Sequence, residues 1–325
     1  MKFWTRRGLL AWLLWPASLG FGFGVLIRRA LYALRLLKSV HPKIPVIVVG
    51  NITVGGSGKT PLVLWIAEFL RAKGWSPGII SRGYGARIKT PRAANVASDP
   101  AEVGDEPIVL ARRSGCPVWV GGDRVQVAAA LRAAHPEVNV LVLDDGLQHY
   151  GLRRDIEIAV VDARGLGNGF LLPAGPLREP RFRLRTVDAV VAHGSFGVKD
   201  FAMSLAGDEV HRMTDARERR PLKAFGGQKV HAAAGIGDPN RFFLHLGRAG
   251  IKVIPHPFGD HHPFTEADLD FGDGLPVMIT EKDAVKLRRA ARPDWWVLPV
   301  SARLDPGFGA WLVRKLDEWR RSKAA

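Results

Sequence analysis

The stretch that decides the fold runs from residue 50 to residue 60 and reads Gly50-Asn51-Ile52-Thr53-Val54-Gly55-Gly56-Ser57-Gly58-Lys59-Thr60. An apolar run over residues 46–49 precedes it and is typical of a buried strand. Residues 61–70 follow it with the periodicity of a helix. A strand, a glycine-rich turn, a Gly-Lys-Thr triplet and a helix in this order predict a phosphate-binding loop.

Each part of this loop has a predicted chemical task. The backbone N–H groups would turn toward phosphate oxygens, and the helix N-terminus would add partial positive charge. The predicted contacts are Thr53, Val54, Gly55, Gly56, Ser57, Gly58, Lys59 and Thr60. Lys59 would reach the β- and γ-phosphates, and the Thr60 hydroxyl would bind Mg²⁺. Thr53 stands where the usual pattern has its first glycine, but the flanking strand and helix still favour binding of a nucleotide phosphate.

The rest of the chain alternates predicted strands with predicted helices. The strands after the phosphate loop cover residues 76–80, 118–120, 138–143, 156–161 and 187–192. This alternation predicts an α/β protein with a doubly wound parallel sheet of the P-loop NTPase type. A second strand–turn–helix pattern begins at residues 229–234 and predicts a smaller α/β lobe. An amphipathic helix over residues 308–321 ends the chain.

Changes in pattern divide the chain into four predicted parts. Residues 1–38 form an N-terminal membrane anchor, and residues 39–195 form the domain that carries the phosphate loop. Residues 196–228 are mixed and charged and form a linker with short strands. Residues 229–325 form the second lobe.

The composition narrows the class of protein. The chain has 325 residues, 47% of them hydrophobic, so it can bury a sizeable core in one large or two ordinary domains. The single cysteine, Cys116, excludes an intramolecular disulfide and fits a reducing compartment. The formal net charge of +16 calls for an anionic partner, which could be nucleic acid, an anionic membrane surface or a phosphorylated substrate.

The N-terminal segment carries no acidic residue before Glu68. Its apolar run, residues 9–27, is flanked by cations and is about as long as a bilayer requires. A spanning helix is one interpretation, although Pro16 and a series of glycines weaken a straight span. An in-plane anchor is another, because tryptophan favours the membrane interface and flanking cations favour anionic headgroups. A cleaved signal peptide is disfavoured, because a cytosolic-type nucleotide site follows and no small-x-small cleavage site is clear. The alternative to membrane association is a buried core helix, and the basic residues downstream predict a cytoplasmic main body.

Two aspartates follow the apolar strand at residues 138–143. Asp144 would lie opposite Thr60, where phosphate-loop enzymes place a further Mg²⁺ contact. Asp145 could bond Mg²⁺-bound water or orient Lys59. An ordinary turn with two aspartates at a strand end is the alternative.

Phosphoryl transfer to a hydroxyl benefits from a base near the acceptor. Asp105 and His261 are the best candidates, because a carboxylate bonded to an imidazole fixes its tautomer and raises its basicity. Asp105 could instead cap a helix. Asp260-His261-His262 could be a metal-ligand cluster or an ordinary turn, and the sequence shows no third ligand that would favour zinc. Arg82, Arg124 and Arg178 lie in glycine-containing loops suited to neutralising phosphate charge, with a solvated surface position as the alternative for each.

Several motifs together resemble one family. In chain order they are Gly-Asn-Ile-Thr-Val-Gly-Gly-Ser-Gly-Lys-Thr-Pro, Ser-Arg-Gly-Tyr-Gly, Glu-Val-Gly-Asp-Glu-Pro, Asp-Asp-Gly-Leu-Gln-His, Leu-Arg-Glu-Pro, Gly-Ile-Gly-Asp-Pro, Asp-His-His-Pro-Phe-Thr and Thr-Glu-Lys-Asp-Ala-Val-Lys. Preceded by a hydrophobic anchor, they resemble the tetraacyldisaccharide 4′-kinase (lipid A 4′-kinase) family. The resemblance covers nearly the whole chain, and the Thr53 departure fits this family's loop.

The resemblance implies a membrane-associated kinase of lipid A biosynthesis at the cytoplasmic face of the bacterial inner membrane. It would transfer the γ-phosphate of ATP, with Mg²⁺, to the 4′-hydroxyl of a tetraacylated glucosamine disaccharide 1-phosphate. Two α/β lobes would be joined by a β-ribbon linker, with the active site between them. The implied site residues are Lys59 and Thr60 in the loop, Asp144 and Asp145 at the strand end, Asp105 with His261 as the base pair, and Arg124, Arg178 and Glu179 at the phosphates or metal.

Two other classes of function stay open at this point. A membrane-tethered P-loop ATPase would hydrolyse ATP without a lipid acceptor and would not need the Asp105–His261 pair. A nucleic-acid-binding protein would use the charge alone, but the basic residues are dispersed and lack interleaved stacking aromatics. We therefore expect an anionic glycolipid and the inner membrane as partners, no nucleic acid and no obligate protein partner.

Overall fold

The structure is a computed structural model that describes residues 2–86, 88–193, 200–287 and 292–324. The predicted boundary between the phosphate-loop domain and the linker, at residues 195 and 196, lies outside the described residues. Within the described ranges the chain forms two β-sheets with helices packed against them.

The elements are numbered in chain order. The strands in the described residues are β1 Val46–Gly50, β2 Pro77–Ser81, β3 Arg92–Ala94, β4 Val118–Val120, β5 Val140–Asp144, β6 Ile156–Val161, β7 Ala189–His193, β8 Phe201–Ala206, β9 Glu209–Arg212, β10 Arg219–Pro221, β11 Lys229–Ala234, β12 Lys252–Pro257, β13 Val277–Thr280, β14 Trp295–Leu298 and β15 Ser301–Leu304. The α-helices there are α1 Leu9–Leu13, α2 Trp15–Ala33, α3 Lys59–Ala72, α4 Pro100–Val103, α5 Asp105–Ser114, α6 Arg124–Ala134, α7 Pro239–Arg248, α8 Glu281–Ala284 and α9 Gly307–Ala324. Short 3-10 helices cover Lys2–Thr5, Arg181–Arg185, Leu222–Phe225, Glu266–Leu269 and Val285–Leu287.

The larger sheet carries the phosphate loop. Its strand order is β15-β8-β7-β6-β1-β5-β2-β4-β3, and the strands from β8 to β4 run parallel, with antiparallel strands at both edges. In β1, Ile47 and Val49 pack into the core on one face and Val46 and Val48 into the core on the other. Both faces are therefore buried, as parallel strands require. The predicted α/β class is confirmed, with sheets that are mixed at their edges.

The smaller sheet has the order β10-β9-β14-β13-β11-β12. Strands β12, β11, β13 and β14 run parallel, and β9 and β10 are antiparallel additions at one edge. Helix α7 packs against β12 and β11, burying Phe242 and Leu246 against the sheet. The second strand–turn–helix pattern in the sequence therefore marks a second α/β unit.

A two-stranded ribbon joins the two sheets. Strand β8 pairs with β15 in the larger sheet, and the next strand, β9, pairs with β14 in the smaller one. A Cβ on Gly207, between β8 and β9, would lie 3.0 Å from the Pro299 carbonyl oxygen, so the close crossing favours glycine. The predicted linker, residues 196–228, thus supplies one strand of the ribbon, and residues 295–304 supply the other.

The end of the chain returns to the larger lobe. Phe308, Trp311 and Leu312 of α9 lie in the same core cluster as Leu62 and Ile66 of α3. The predicted second lobe, residues 229–325, therefore differs from the structure in its last part, where β15 and α9 pack with the phosphate-loop domain. The β15–β8 pairing joins residues about a hundred positions apart, which strand periodicity does not reveal.

The N-terminal helices lie on the loop between β6 and β7. Small residues on one face of α1 and α2, Ala11, Ser18 and Gly22, are buried there. The Ser18 hydroxyl donates to the Leu171 carbonyl oxygen over 2.8 Å, and a Cβ on Gly22 would lie 2.7 Å from Leu171 Cδ1. In the described part of the chain, no helix is both long enough and apolar enough to cross a bilayer.

Candidate active site

The phosphate loop has the backbone that its glycines predict. Gly55 and Gly58 have φ of +101° and +82°, a region in which side chains with a Cβ are strained. Gly58 is the residue before α3, so Lys59 and Thr60 begin that helix. The loop is held from outside by Arg164, whose Nη2 donates to the Gly56 carbonyl oxygen over 2.8 Å. This geometry leaves the helix N-terminus available to an anion.

Asp145 connects the phosphate loop to a second loop. Its carboxylate lies 3.5 Å from Lys59 Nζ and 3.1 Å from Arg178 Nη1. Burial would raise the pKa of Asp145, but the charges of Lys59 and Arg178 outweigh it and lower the pKa. Asp145 therefore holds both cations at the mouth of the loop. Its φ of +53° is strained for an aspartate, a feature common at functional sites.

Asp144 is the buried member of the aspartate pair. It ends β5 directly beside Val49 of β1, the strand that leads into the phosphate loop. Its Oδ1 is buried without a hydrogen-bond donor from any described residue. Burial, then the negative charge of Glu106, raises the pKa of Asp144 to about 7. A buried, unpartnered carboxylate oxygen needs a cation or a proton.

These residues fit a magnesium ion. Mg²⁺ prefers oxygen ligands and is usually held by one or two protein groups together with substrate phosphates and water. Asp144 and the Thr60 hydroxyl supply such oxygens, and in the described residues no three His, Cys, Asp or Glu side chains cluster as an all-protein metal site. The donor set thus suits a metal that also needs phosphate oxygens.

Asp105 and His261 are brought together from the two lobes. Asp105 is the first residue of α5 and is only 4% exposed. His261 Nδ1 lies 3.1 Å from Asp105 Oδ2. This bond raises the pKa of His261. Burial would raise the pKa of Asp105, but the His261 bond and the charges of Lys282 and Lys286 lower it, so the carboxylate is ionised at neutral pH.

The turn that carries His261 and the phosphate loop come close together at Gly237. A Cβ on Gly237 would lie 3.5 Å from the Gly56 backbone nitrogen and 3.5 Å from Asp260 Oδ2. Asp260 precedes His261 in the sequence, so these two atoms belong to the phosphate loop and to the turn. A side chain at Gly237 would contact both of them.

Arg124 begins α6 and is nearly fully buried. Its Nη1 donates to the carbonyl oxygens of Gly121 and Gly122, while its Nε has no acceptor among the described residues. Burial, then repulsion from Arg82, lowers the pKa of Arg124 to about 10. A bound anion would therefore stabilise the charged guanidinium of Arg124.

Glu179 is buried among hydrogen-bond donors and cations. It is 1% exposed, and its carboxylate accepts hydrogen bonds from Gln148 Nε2 at 2.8 Å and the Tyr150 hydroxyl at 2.6 Å. Arg29 and Arg183 pair with it at 3.3 and 3.4 Å. The predicted place of Glu179 at the phosphates or metal stays a prediction. These contacts tie the N-terminal helix, through Arg29, to the loop that carries Arg178.

The chain is similar to known proteins over nearly its whole length. Residues 10–317 match the family model described as tetraacyldisaccharide-1-P 4′-kinase. The chain belongs to this family. Curated tetraacyldisaccharide 4′-kinases from Azoarcus sp. (strain BH72) and Aromatoleum aromaticum are 50% and 51% identical to it, over 98% of this chain in both cases and 96% and 97% of the relatives. A crystal structure of LpxK from Aquifex aeolicus in complex with ATP has a TM-score of 0.80 and 29% identity, covering 95% of this chain and 100% of that one.

Some neighbours of the candidate site were not predicted from the sequence. Lys282 Nζ lies 3.3 Å from His261 Nε2 and 3.1 Å from Glu106 Oε1. Lys286 Nζ lies 3.5 Å from Asp105 Oδ2. Both lysines belong to the Thr-Glu-Lys-Asp-Ala-Val-Lys motif, whose four-residue spacing of cations on a helical turn was the available signal.

Proposed function

We propose that this chain transfers the γ-phosphate of ATP to the 4′-hydroxyl of a tetraacylated glucosamine disaccharide 1-phosphate, with Asp105 as the base. The observation that supports this most directly is the close approach of two loops at Gly237, where a Cβ would lie 3.5 Å from the Gly56 backbone nitrogen and 3.5 Å from Asp260 Oδ2. The phosphate loop suits a phosphate, and the turn of Asp260 and His261 suits an acceptor hydroxyl. Membership of the kinase family and the ATP complex of a relative give the substrates.

On the phosphate side, backbone N–H groups of residues 54–60 would hold the phosphate oxygens. Lys59 would move from Asp145 onto the β- and γ-phosphates, while Arg178 keeps Asp145 paired. Arg124 would supply positive charge from α6. Thr60 and Asp144 would hold Mg²⁺, which when bound neutralises charge on the phosphate oxygens.

On the acceptor side, Asp105 would take the proton of the 4′-hydroxyl while the oxygen of that hydroxyl bonds to the γ-phosphorus. The bond from that phosphorus to the bridging oxygen breaks, and ADP leaves with the electron pair. His261, which donates to Asp105 Oδ2, would orient the carboxylate. The Glu106 backbone N–H donates to the other oxygen, Oδ1, over 2.8 Å, which fixes the carboxylate plane. A base so held is pre-positioned for proton transfer.

The N-terminal helices would lie in the plane of the membrane. Their outer surface exposes large apolar side chains, including Leu9 at 92%, Leu13 at 76% and Phe23 at 66%. An apolar surface of this kind next to cations is typical of an interfacial anchor. Residues 1–38 carry seven cations and no acid, which favours anionic headgroups. We therefore place the protein at the cytoplasmic face of the bacterial inner membrane.

A cationic pocket lies beside α2. Its volume is about 380 Å³, and Arg29, Arg153, Arg154, Tyr32 and Tyr150 line it. Arg29 and Tyr150 both contact Glu179, the neighbour of Arg178 in the sequence. A phosphorylated sugar would find charge and aromatic surface here while its acyl chains lie against the exposed face of α2. This pocket suits the anionic headgroup of the glycolipid.

The test is direct. Purified full-length protein in mixed micelles would be incubated with γ-labelled ATP, Mg²⁺ and the tetraacyldisaccharide 1-phosphate, and the products separated by chromatography. We expect label in the lipid and little phosphate release without it. Phosphate release that does not depend on the lipid would favour the membrane-tethered ATPase instead.

We propose neither a nucleic-acid partner nor an obligate protein partner. Addition of nucleic acid should therefore leave the rate of lipid phosphorylation unchanged.

A further inference from the structure

Lys282 occupies a special place beside the proposed base pair. It is the second residue of α8 in the second lobe, and its side chain is largely buried. Its ammonium lies 3.3 Å from His261 Nε2, on the side of the ring opposite Asp105. The imidazole is thus held between a carboxylate at Nδ1 and an ammonium at Nε2.

The chemistry of these groups fixes the proton on the ring. A lysine ammonium has donors and no acceptor, so a hydrogen bond from Lys282 requires an unprotonated Nε2. The ring proton then resides on Nδ1 and is donated to Asp105 Oδ2. The alternative tautomer would direct an N–H at the ammonium and leave Asp105 without this donor.

Acidic neighbours keep the ammonium in place. Glu106 Oε1 lies 3.1 Å and Asp260 Oδ1 3.6 Å from Lys282 Nζ. Burial would lower the pKa of Lys282, but Glu106, Asp105 and Asp260 outweigh it and raise the pKa. These acids therefore favour the charged ammonium, which faces His261 as a hydrogen-bond donor.

From this arrangement we propose that Lys282 is a positioning residue, which holds His261 as the neutral Nδ1–H tautomer that donates to Asp105. The inference rests on the proposed role of Asp105 as the base. It assigns a third member to the pair, which acts on the acceptor through His261 and Asp105 without touching either substrate.

Lys282 opposes the protonation of His261. Three charged groups face the His261 ring: Asp105 from α5, Lys282 from α8 and Asp260 from the same turn. The Tyr84 ring also faces it, and the centroids of the two rings are 4.8 Å apart. Lys286 faces Asp105 from the following 3-10 helix. Asp105 and Asp260 raise the pKa of His261, and Lys282 lowers it. An imidazolium would neutralise Asp105 and make it a weaker base, so Lys282 keeps the pair active toward lower pH.

The first experiment uses the wild-type full chain with ¹⁵N-labelled imidazoles in detergent micelles. His261 signals are assigned by their loss in His261→Gln. At pH 8 we expect a protonated Nδ1 and an unprotonated Nε2. A proton on Nε2 at pH 8 would overturn the proposal without any variant of Lys282.

The second experiment removes the cation. In Lys282→Met we expect the pKa of His261 to rise by about one unit or more, because a charge at this distance is lost. The acid limb of kcat against pH should move upward by the same amount. Lys282→Arg should restore most of both values, since it keeps a charged donor. Lys315→Met, which breaks a half-exposed ion pair with Asp188, is the matched control and should change neither.

A double variant keeps the test valid if Lys282→Met alone does not fold. Lys282→Met leaves Glu106 without its charged partner, and Glu106→Gln in the same chain removes that unpaired acid. We expect the double variant to show the same rise in the pKa of His261. An unchanged pKa in a folded variant would overturn the role of Lys282. Failure of the wild type to phosphorylate the lipid would instead refute the proposed function, and the imidazole spectra would still decide the tautomer.

Discussion

His261 Nδ1 lies 3.1 Å from Asp105 Oδ2, although 156 positions separate the two residues in the sequence. Asp105 begins a helix of the larger lobe, and His261 lies in a turn of the smaller one. The hydrogen bond therefore exists only while the lobes are in contact. His261 also has a φ of +61°, so its turn is held in a strained backbone conformation at this contact.

The first prediction concerns this pair. Asp105→Ala and His261→Ala should each lower kcat for lipid phosphorylation by roughly 10²–10⁴, the range for a positioned base. ATP affinity should change little, because neither side chain is assigned to the phosphates. The double variant should be barely slower than the slower single one, since the two residues act together. Lipid phosphorylation and nucleotide binding would be measured for all three.

The matched control for the pair is Asp208→Ala. Asp208 forms an exposed ion pair with Arg303, and such pairs contribute little to stability. Its activity should stay at the wild-type value. Losses that multiply in the Asp105→Ala/His261→Ala variant would show that the two residues act separately.

The second prediction concerns the phosphate loop. Lys59→Ala should lower kcat by about 10²–10³, the cost of one missing donor to transition-state charge. The fold should persist, because Asp145 keeps Arg178 as a partner at 3.1 Å. Lys73→Ala is the control, at the exposed end of the same helix, and should be active. Near-normal turnover by Lys59→Ala would place the phosphates elsewhere.

Local sequence signals predicted six strands of the larger sheet, namely β1, β2, β4, β5, β6 and β7, but not β3, β8 or β15. The strand before the phosphate loop, the loop itself and the aspartates after β5 are each encoded within a few residues. Contacts distant in sequence were not predicted in this way. The ribbon depends on pairing of β8 with β15, and the environment of His261 depends on Lys282 from a separate helix. Hydrophobic periodicity reports which face is buried but not which partner covers it.

Glu179 illustrates the same limit at a single residue. The family resemblance implied that Glu179 lies at the phosphates or the metal. Its oxygens are occupied by donors from several segments, including Arg29 in the N-terminal helix. No pattern within the Leu-Arg-Glu-Pro motif could indicate partners so far away in the sequence.

The third prediction concerns docking of the N-terminal helix. Gly22→Leu should disturb the contact with Leu171, which a Cβ would approach to 2.7 Å, at a cost of about 1–3 kcal/mol in the free energy of unfolding. Amide hydrogen exchange in residues 164–180 should speed up, and lipid phosphorylation should fall because Arg178 follows this loop.

Gly24→Leu is a closely matched control for that change. It makes the same substitution in the same helix, but a Cβ there meets no described atom within 4 Å. It should leave hydrogen exchange of the loop unchanged and should bind anionic vesicles at least as well as the wild type. Equal exchange in the two variants would mean that α2 does not brace the loop.

The fourth prediction concerns the pH dependence of stability at Asp144. Burial raises the pKa of Asp144 to about 7, above its ordinary value of 3.8. Folding therefore favours the protonated carboxyl, so this contribution to stability is fully present below pH 3.8 and is lost as pH rises through about 7. The amide introduced by Asp144→Asn cannot ionise and keeps that contribution at every pH. In metal-free buffer, Asp144→Asn should thus match the wild type in Tm near pH 4 and exceed it at pH 8. The kinase activity of Asp144→Asn should fall sharply although its Tm at pH 8 rises, because the amide is a poor ligand for Mg²⁺. Thermal unfolding with EDTA at both pH values, beside the lipid assay, checks both changes. A Tm difference that stays constant from pH 4 to pH 8 would show that Asp144 ionises normally in the folded protein.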